Sequence, residues 1–91
     1  MIVVHKFVLN GYGVTKVRVS NNCSFLKIDT QNDQPVVWIQ TDTDAPYITE
    51  DVHASFTGTP MDKDMVENSM YIGTTTVTGR VVHFYVSFVT S

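Results

Sequence analysis

One cysteine, Cys23, stands in 91 residues. An internal disulfide is excluded, so the fold must hold without covalent staples. Such thiol usage fits a reducing compartment better than a secreted framework. Charge is also scarce. Six Lys and Arg and nine Asp and Glu make up 16% of the chain, for a net charge of −3. A typical domain carries about a quarter. The six cations are scattered and form no basic stripe, which argues against duplex nucleic acid as a partner, since that binding depends on neutralising several phosphates. No apolar run approaches the ~18–20 residues of a membrane-spanning helix. The opening "MIVVHKFVLN" carries His5 and Lys6 inside its apolar stretch, where a secretory signal would carry its charge ahead of it. No membrane association is expected, and the expected location is the cytoplasm. There is no internal repeat and no low-complexity segment.

What remains is a chain of one-domain length, 43% hydrophobic, in which Val, Ile and Thr recur in short runs. The runs are separated by Gly, Asn and Asp clusters, the pattern of strands and turns. Strands are expected over 2–9, 14–20, 25–30, 36–41, 47–57, 71–77 and 80–89. "NGYG" (10–13) and "QNDQP" (31–35) read as turns, and Thr78-Gly79 as a tight hairpin. Residues 58–70 lack period-2 alternation, and a short helical turn near 62–67 with Asp62 as N-cap fits them. The expected fold is a single all-β domain, residues 1–91, of six or seven short strands in a sandwich or partly closed barrel.

Alternation assigns faces. Val82, Phe84, Val86 and Phe88 share the core face of the last strand, as do Val52, Ala54 and Phe56 in the fifth, Val37 and Ile39 in the fourth, and Leu26 and Ile28 in the third. The opposite set carries Trp38, Phe25, Tyr85, His53, His83 and several hydroxyls. Exposed aromatics on a rigid sheet can stack a base or anchor a protein. The same groups can instead pack on another sheet or subunit, and both readings stay open at this level.

Other chemistry fits poorly. Asp42 and Asp44, or Asp62, Asp64 and Glu67, lack the glycine of a calcium loop, and Pro46 occupies the fifth position of the first group. His5, His53 and His83 form no close zinc-type pair. His53 and Ser55 share a face, but no nucleophile-elbow pattern surrounds any serine. "NGYG" precedes a strand rather than a helix, so it is not a phosphate loop. No cofactor, metal or enzymatic activity is expected.

A wider pattern spans nearly the whole chain. A first strand "VHKFVL" is followed by Pro35, Trp38, Asp42, Ala45 and Pro46, then "FTGTP" (56–60), Tyr71 to Thr74 as "YIGT", and Val81-Val82-His83. This resembles a family of small domains of unknown function found in tailed phages and prophages. The resemblance implies a viral source, an accessory role in the infected host's cytoplasm, and no transferable functional residue. Phage proteins of this size often neutralise a host defence. The expected function is therefore a binding protein that sequesters a nucleotide signal or a defence protein. The rival is a virion structural or assembly protein without a small-molecule ligand. The expected ligand-binding residues are Trp38, Tyr47, His53, Thr57, Thr59, Lys63, Tyr71, Arg80, His83 and Tyr85. A chain this short cannot cover two apolar strand faces with its own mass. A closed homo-oligomer is therefore expected, with the long strand 80–89 at or near its interface.

Overall fold

The computed structural model describes residues 1–87. Seven strands, β1 (Ile2–Val8), β2 (Gly13–Ser20), β3 (Cys23–Gln31), β4 (Gln34–Asp42), β5 (Tyr47–Phe56), β6 (Ser69–Val77) and β7 (Arg80–Ser87), form two antiparallel sheets. One sheet has the order β1-β4-β3 and the other β2-β5-β7-β6. They pack face to face as an open sandwich. A short helix, α1 (Lys63–Glu67), lies between β5 and β6. Among the described residues, no helix is long and apolar enough to cross a membrane.

Period-2 alternation of β-branched residues builds this architecture. Val37 and Ile39 of β4, with Ile28 of β3, meet Val17, Val19, Val52, Ala54, Val82, Phe84 and Val86 of the facing sheet, all buried. Leu9, just past β1, seals one end. Two-residue turns set the hairpins: Asn32 and Asp33 at φ 51° and 62°, and Thr78 and Gly79 at φ 47° and 81°. Positive φ at both central residues matches the twist of the flanking strands. Asp62 caps α1 by accepting from the Asp64 N–H at 3.2 Å.

Two β-bulges change the faces read from the sequence. In β3 the register shifts between Phe25 and Lys27. The extra residue, Leu26, is pushed out and is 52% exposed, while Phe25 turns inward onto the core. Strict alternation had placed Leu26 inside and Phe25 outside; a bulge inverts the phase that alternation assumes. In β6 the shift falls between Tyr71 and Gly73. At Gly73 the backbone of β6 comes so close to β3 that a Cβ would lie 2.8 Å from Ile28 Cγ1. Beside it, Thr30 Oγ1 meets Thr75 Oγ1 at 2.9 Å and donates to the Thr76 carbonyl at 2.7 Å. These contacts seam the β3 and β6 edges together without closing a barrel.

A second correction concerns strand 80–89. Its described part is β7, which is paired on both sides by β5 and β6. It is no edge and offers no strand interface; Phe88 and Val89 lie outside the described residues.

Candidate binding cleft

The outward residues fall on two separate surfaces, because the outer faces of the two packed sheets point in opposite directions. Trp38 lies on the outside of the three-stranded sheet, half-buried, with Lys6 of β1 and Lys27 of β3 at its two flanking register positions. On the four-stranded sheet the outward residues are Val14, Lys16 and Arg18 of β2, His53 and Ser55 of β5, and His83 and Tyr85 of β7. Trp38 therefore shares no site with His53, His83 or Tyr85.

Residues 58–68 are the cover for part of that second surface. They leave a cleft of about 170 Å³ lined by Tyr12 and Val14, by His53 and Ser55, by Tyr85, and by Thr59, Pro60, Met61 and Met65 of the cover. The local sequence explains its shape. Asp62 caps a single helical turn, so Met61 sits just ahead of the cap and Met65 within α1, and both line the cleft. Tyr12 is lifted on a Gly-Tyr-Gly loop and stacks on Phe56 at 5.5 Å and 16°. Arg80 lies over the same Phe56 ring, its guanidinium 4.1 Å from the centroid. Phe56, Thr57, Arg80 and Val81 line a shallower neighbouring hollow of about 250 Å³.

The floor is tied by side-chain hydrogen bonds. His53 Nε2 is 2.6 Å from Ser87 Oγ. His83 is held at both nitrogens: Nε2 lies 2.7 Å from Thr57 Oγ1, and Nδ1 lies 2.9 Å from Thr74 Oγ1. Thr74 in turn meets the Tyr71 hydroxyl at 2.5 Å, and the Tyr71 ring stands edge-on to Tyr85 at 5.5 Å. Because hydroxyls can donate or accept, either neutral tautomer of His83 is accommodated. The His83 chain runs from Thr57, just past β5, across β7 to β6, where Tyr71 stands against the Tyr85 ring at the cleft wall.

Of the ten residues expected to bind a ligand, His53, Thr59 and Tyr85 line the cleft, and Thr57, Tyr71 and His83 support it through the network. Arg80 is connected through Phe56 and Tyr12. Lys63 heads α1, with its ammonium 3.8 Å from Glu67 and exposed. Tyr47 is at the far end of β5 from Thr57, and Trp38 is on the other layer. Tyr12, Val14, Ser55, Met61 and Met65 also line the cleft and were not among the expected residues. The glycines flanking Tyr12 were the available signal.

Elsewhere, the acidic turn after β4 has a structural partner. The Met1 amino group pairs with Asp44, and with Asp42 at 3.5 Å. Its pKa is raised, chiefly by Asp44. The Asp42 carboxyl is held below its ordinary range, first by the Asp44 N–H and then by that amino group. Burial, reinforced by the charge of Glu50, pushes the Cys23 thiol up. Cys23 is thus a weak source of the thiolate that nucleophilic chemistry needs. Among the described residues, no three His, Cys, Asp or Glu side chains converge on a metal-sized site.

Compared with family models, residues 1–90 match a domain of unknown function, DUF7352. No curated protein matches the chain, and no solved structure does.

Proposed function

The chain belongs to DUF7352, a family of domains of unknown function, and from its cleft we propose a non-catalytic binding protein that captures a nucleotide by its base. One observation carries this: a ring-sized slot with aromatic walls, a histidine and a serine on its floor, and thioethers in its cover. Whole-ligand pockets run to about 300–1,000 Å³. A cleft of about 170 Å³ admits one planar ring system and leaves the sugar and phosphates outside. Stacking on an aromatic side chain contributes ~1–3 kcal/mol per base. His53 and Ser55 can serve the hydrogen-bonding edge of the ring. Methionine adapts to irregular apolar shapes, which suits a cover that closes on its ligand.

Two cations support phosphate recognition. Lys16 and Arg18 continue the outward face of β2 beyond Val14, at roughly 7 Å per two residues. Lys16 is engaged by Asp51 at 2.9 Å, whereas Arg18 makes no ion pair among the described residues. The resemblance to small phage domains supports the wider role. The protein would lower the free concentration of a nucleotide signal of host antiviral defence, in the cytoplasm of the infected cell.

The test is isothermal titration against mononucleotides, cyclic oligonucleotides and cyclic ADP-ribose isomers. At least one is expected to bind. Tyr85→Ala should then weaken it by the loss of one stacking contact, about 5- to 150-fold. Trp38→Ala, on the other layer, should leave the affinity unchanged. Silence across the panel, or an equal loss in both variants, would overturn the proposal. Silence together with abundant protein in purified particles would support a virion component instead.

A further inference from the structure

β1 is an edge strand, and among the described residues only β4 pairs with it. In an antiparallel ladder, residues alternate between exchanging hydrogen bonds with their partner and directing them away. Two bonds fix the phase here. The Leu9 N–H donates to the Pro35 carbonyl at 2.8 Å, and the Thr43 N–H donates to the Met1 carbonyl at 2.8 Å. Both continue the register in which Ile2 faces Asp42. Odd-numbered residues therefore bond to β4, and Ile2, Val4, Lys6 and Val8 direct their N–H and C=O groups to the open edge. The same four side chains stand on the outer face, where Ile2, Val4 and Val8 are 57%, 54% and 52% exposed. Natural sheets blunt such edges with proline, charge or a bulge. β1 has no proline, no acid and no register shift; Lys6 is its one full charge.

We propose that a second copy of this chain docks on that edge, β1 against β1, around a twofold axis perpendicular to the sheet. The three-stranded sheet then continues into one of six strands. Such an axis keeps both outer faces on one side, so opposing residues must have the same parity. Self-complementarity selects the register. With His5 on the axis opposite the partner's His5, Ile2 meets the partner's Val8 and Val4 meets the partner's Lys6. All four edge-directed residues of each strand then exchange hydrogen bonds, about eight in total. Shifting the axis to Lys6 sets it against the partner's Lys6, an unfavourable like-charge pair. Shifting it to Val4 leaves Val8 without a partner. The axis direction also places both four-stranded sheets on one side, so the dimer presents its two clefts on the same face. This interface is independent of what the cleft binds.

Light scattering coupled to size exclusion should give twice the 10.2 kDa chain mass at high micromolar concentration. Val4→Pro removes a donor directed at the open edge and none directed at β4, so it should yield a folded monomer with an unchanged circular dichroism spectrum. The register has its own test. In a Cys23→Ser background, His5→Cys places two thiols in a non-hydrogen-bonded pair with Cα atoms about 4.5 Å apart, within disulfide reach. Oxidation should give a covalent dimer, whereas Val3→Cys, which faces the partner's Phe7, should not cross-link. A wild-type monomer, a dimeric Val4→Pro variant, or cross-linking at position 3 in place of 5 would overturn the proposal.

Discussion

Gly73→Ala should be among the most damaging single-methyl additions to this domain. Gly73 sits in the β6 bulge at φ +153°, a conformation that side chains rarely adopt, and its added Cβ would lie 2.8 Å from Ile28 Cγ1 and 2.9 Å from Ile28 Cβ. Two effects combine. Backbone strain at such a φ is worth ~1–3 kcal/mol. Inserting a methyl into a packed interior costs another ~1–3 kcal/mol. Ile28 is only 8% exposed and its near atoms are close to its own backbone, so it cannot swing aside. The expected loss is about 2–6 kcal/mol, against a total stability of roughly 5–14 kcal/mol for a chain of this length. Two controls separate the terms. Gly13 has φ +83° with open space around its missing Cβ, so Gly13→Ala should show the conformational term alone, about 1 kcal/mol. Gly11 has open space and no left-handed backbone, so Gly11→Ala should be neutral within ~0.5 kcal/mol. Urea unfolding followed by circular dichroism gives all three. A Gly73→Ala loss no larger than that of Gly13→Ala would refute the close β3–β6 approach.

Phe84→Ala, at the centre of β7 with 0% exposure, should cost about 3–5 kcal/mol in the same assay. Thr41→Val keeps the shape but removes two buried bonds, a 2.6 Å donation to Ser20 Oγ and a 2.9 Å acceptance from the Ser20 N–H; about 1–3 kcal/mol should be lost. The depressed Asp42 carboxyl stabilises the fold above its ordinary pKa near 4 and ceases to as pH falls through its lower folded value. Asp42→Asn should therefore be less stable than wild type at pH 7, with the gap narrowing below about pH 4. A gap constant from pH 7 to strong acid would contradict this assignment.

Much of the fold was legible because period-2 alternation and turn chemistry are local. The seven strands, the Asp62 cap and the Thr78-Gly79 hairpin needed only neighbours in sequence. The bulges at Leu26 and Ile72 were not legible. They answer to the fit between two strands far apart in the chain, and one extra residue reversed the reading of Phe25 and Leu26. The outward faces failed for a related reason. Alternation says that Trp38 and Tyr85 both point away from a core, but not that their sheets point away in opposite directions. His53, Thr59 and Tyr85, expected as binding residues from their chemistry, do line the cleft. Met61 and Met65 line it too, but one short turn of helix carries too little periodicity to show what it covers.

The proposed ligand site is the cleft between the four-stranded sheet and residues 58–68. Two-dimensional NMR of labelled protein, titrated with the nucleotide panel, tests it most directly. Shifts are expected at Tyr12, Val14, His53, Ser55, Tyr85 and the methyl groups of Met61 and Met65, with Trp38 and its neighbours on β1 and β3 unmoved. Shifts centred on Trp38, or no shift from any member of the panel, would contradict it.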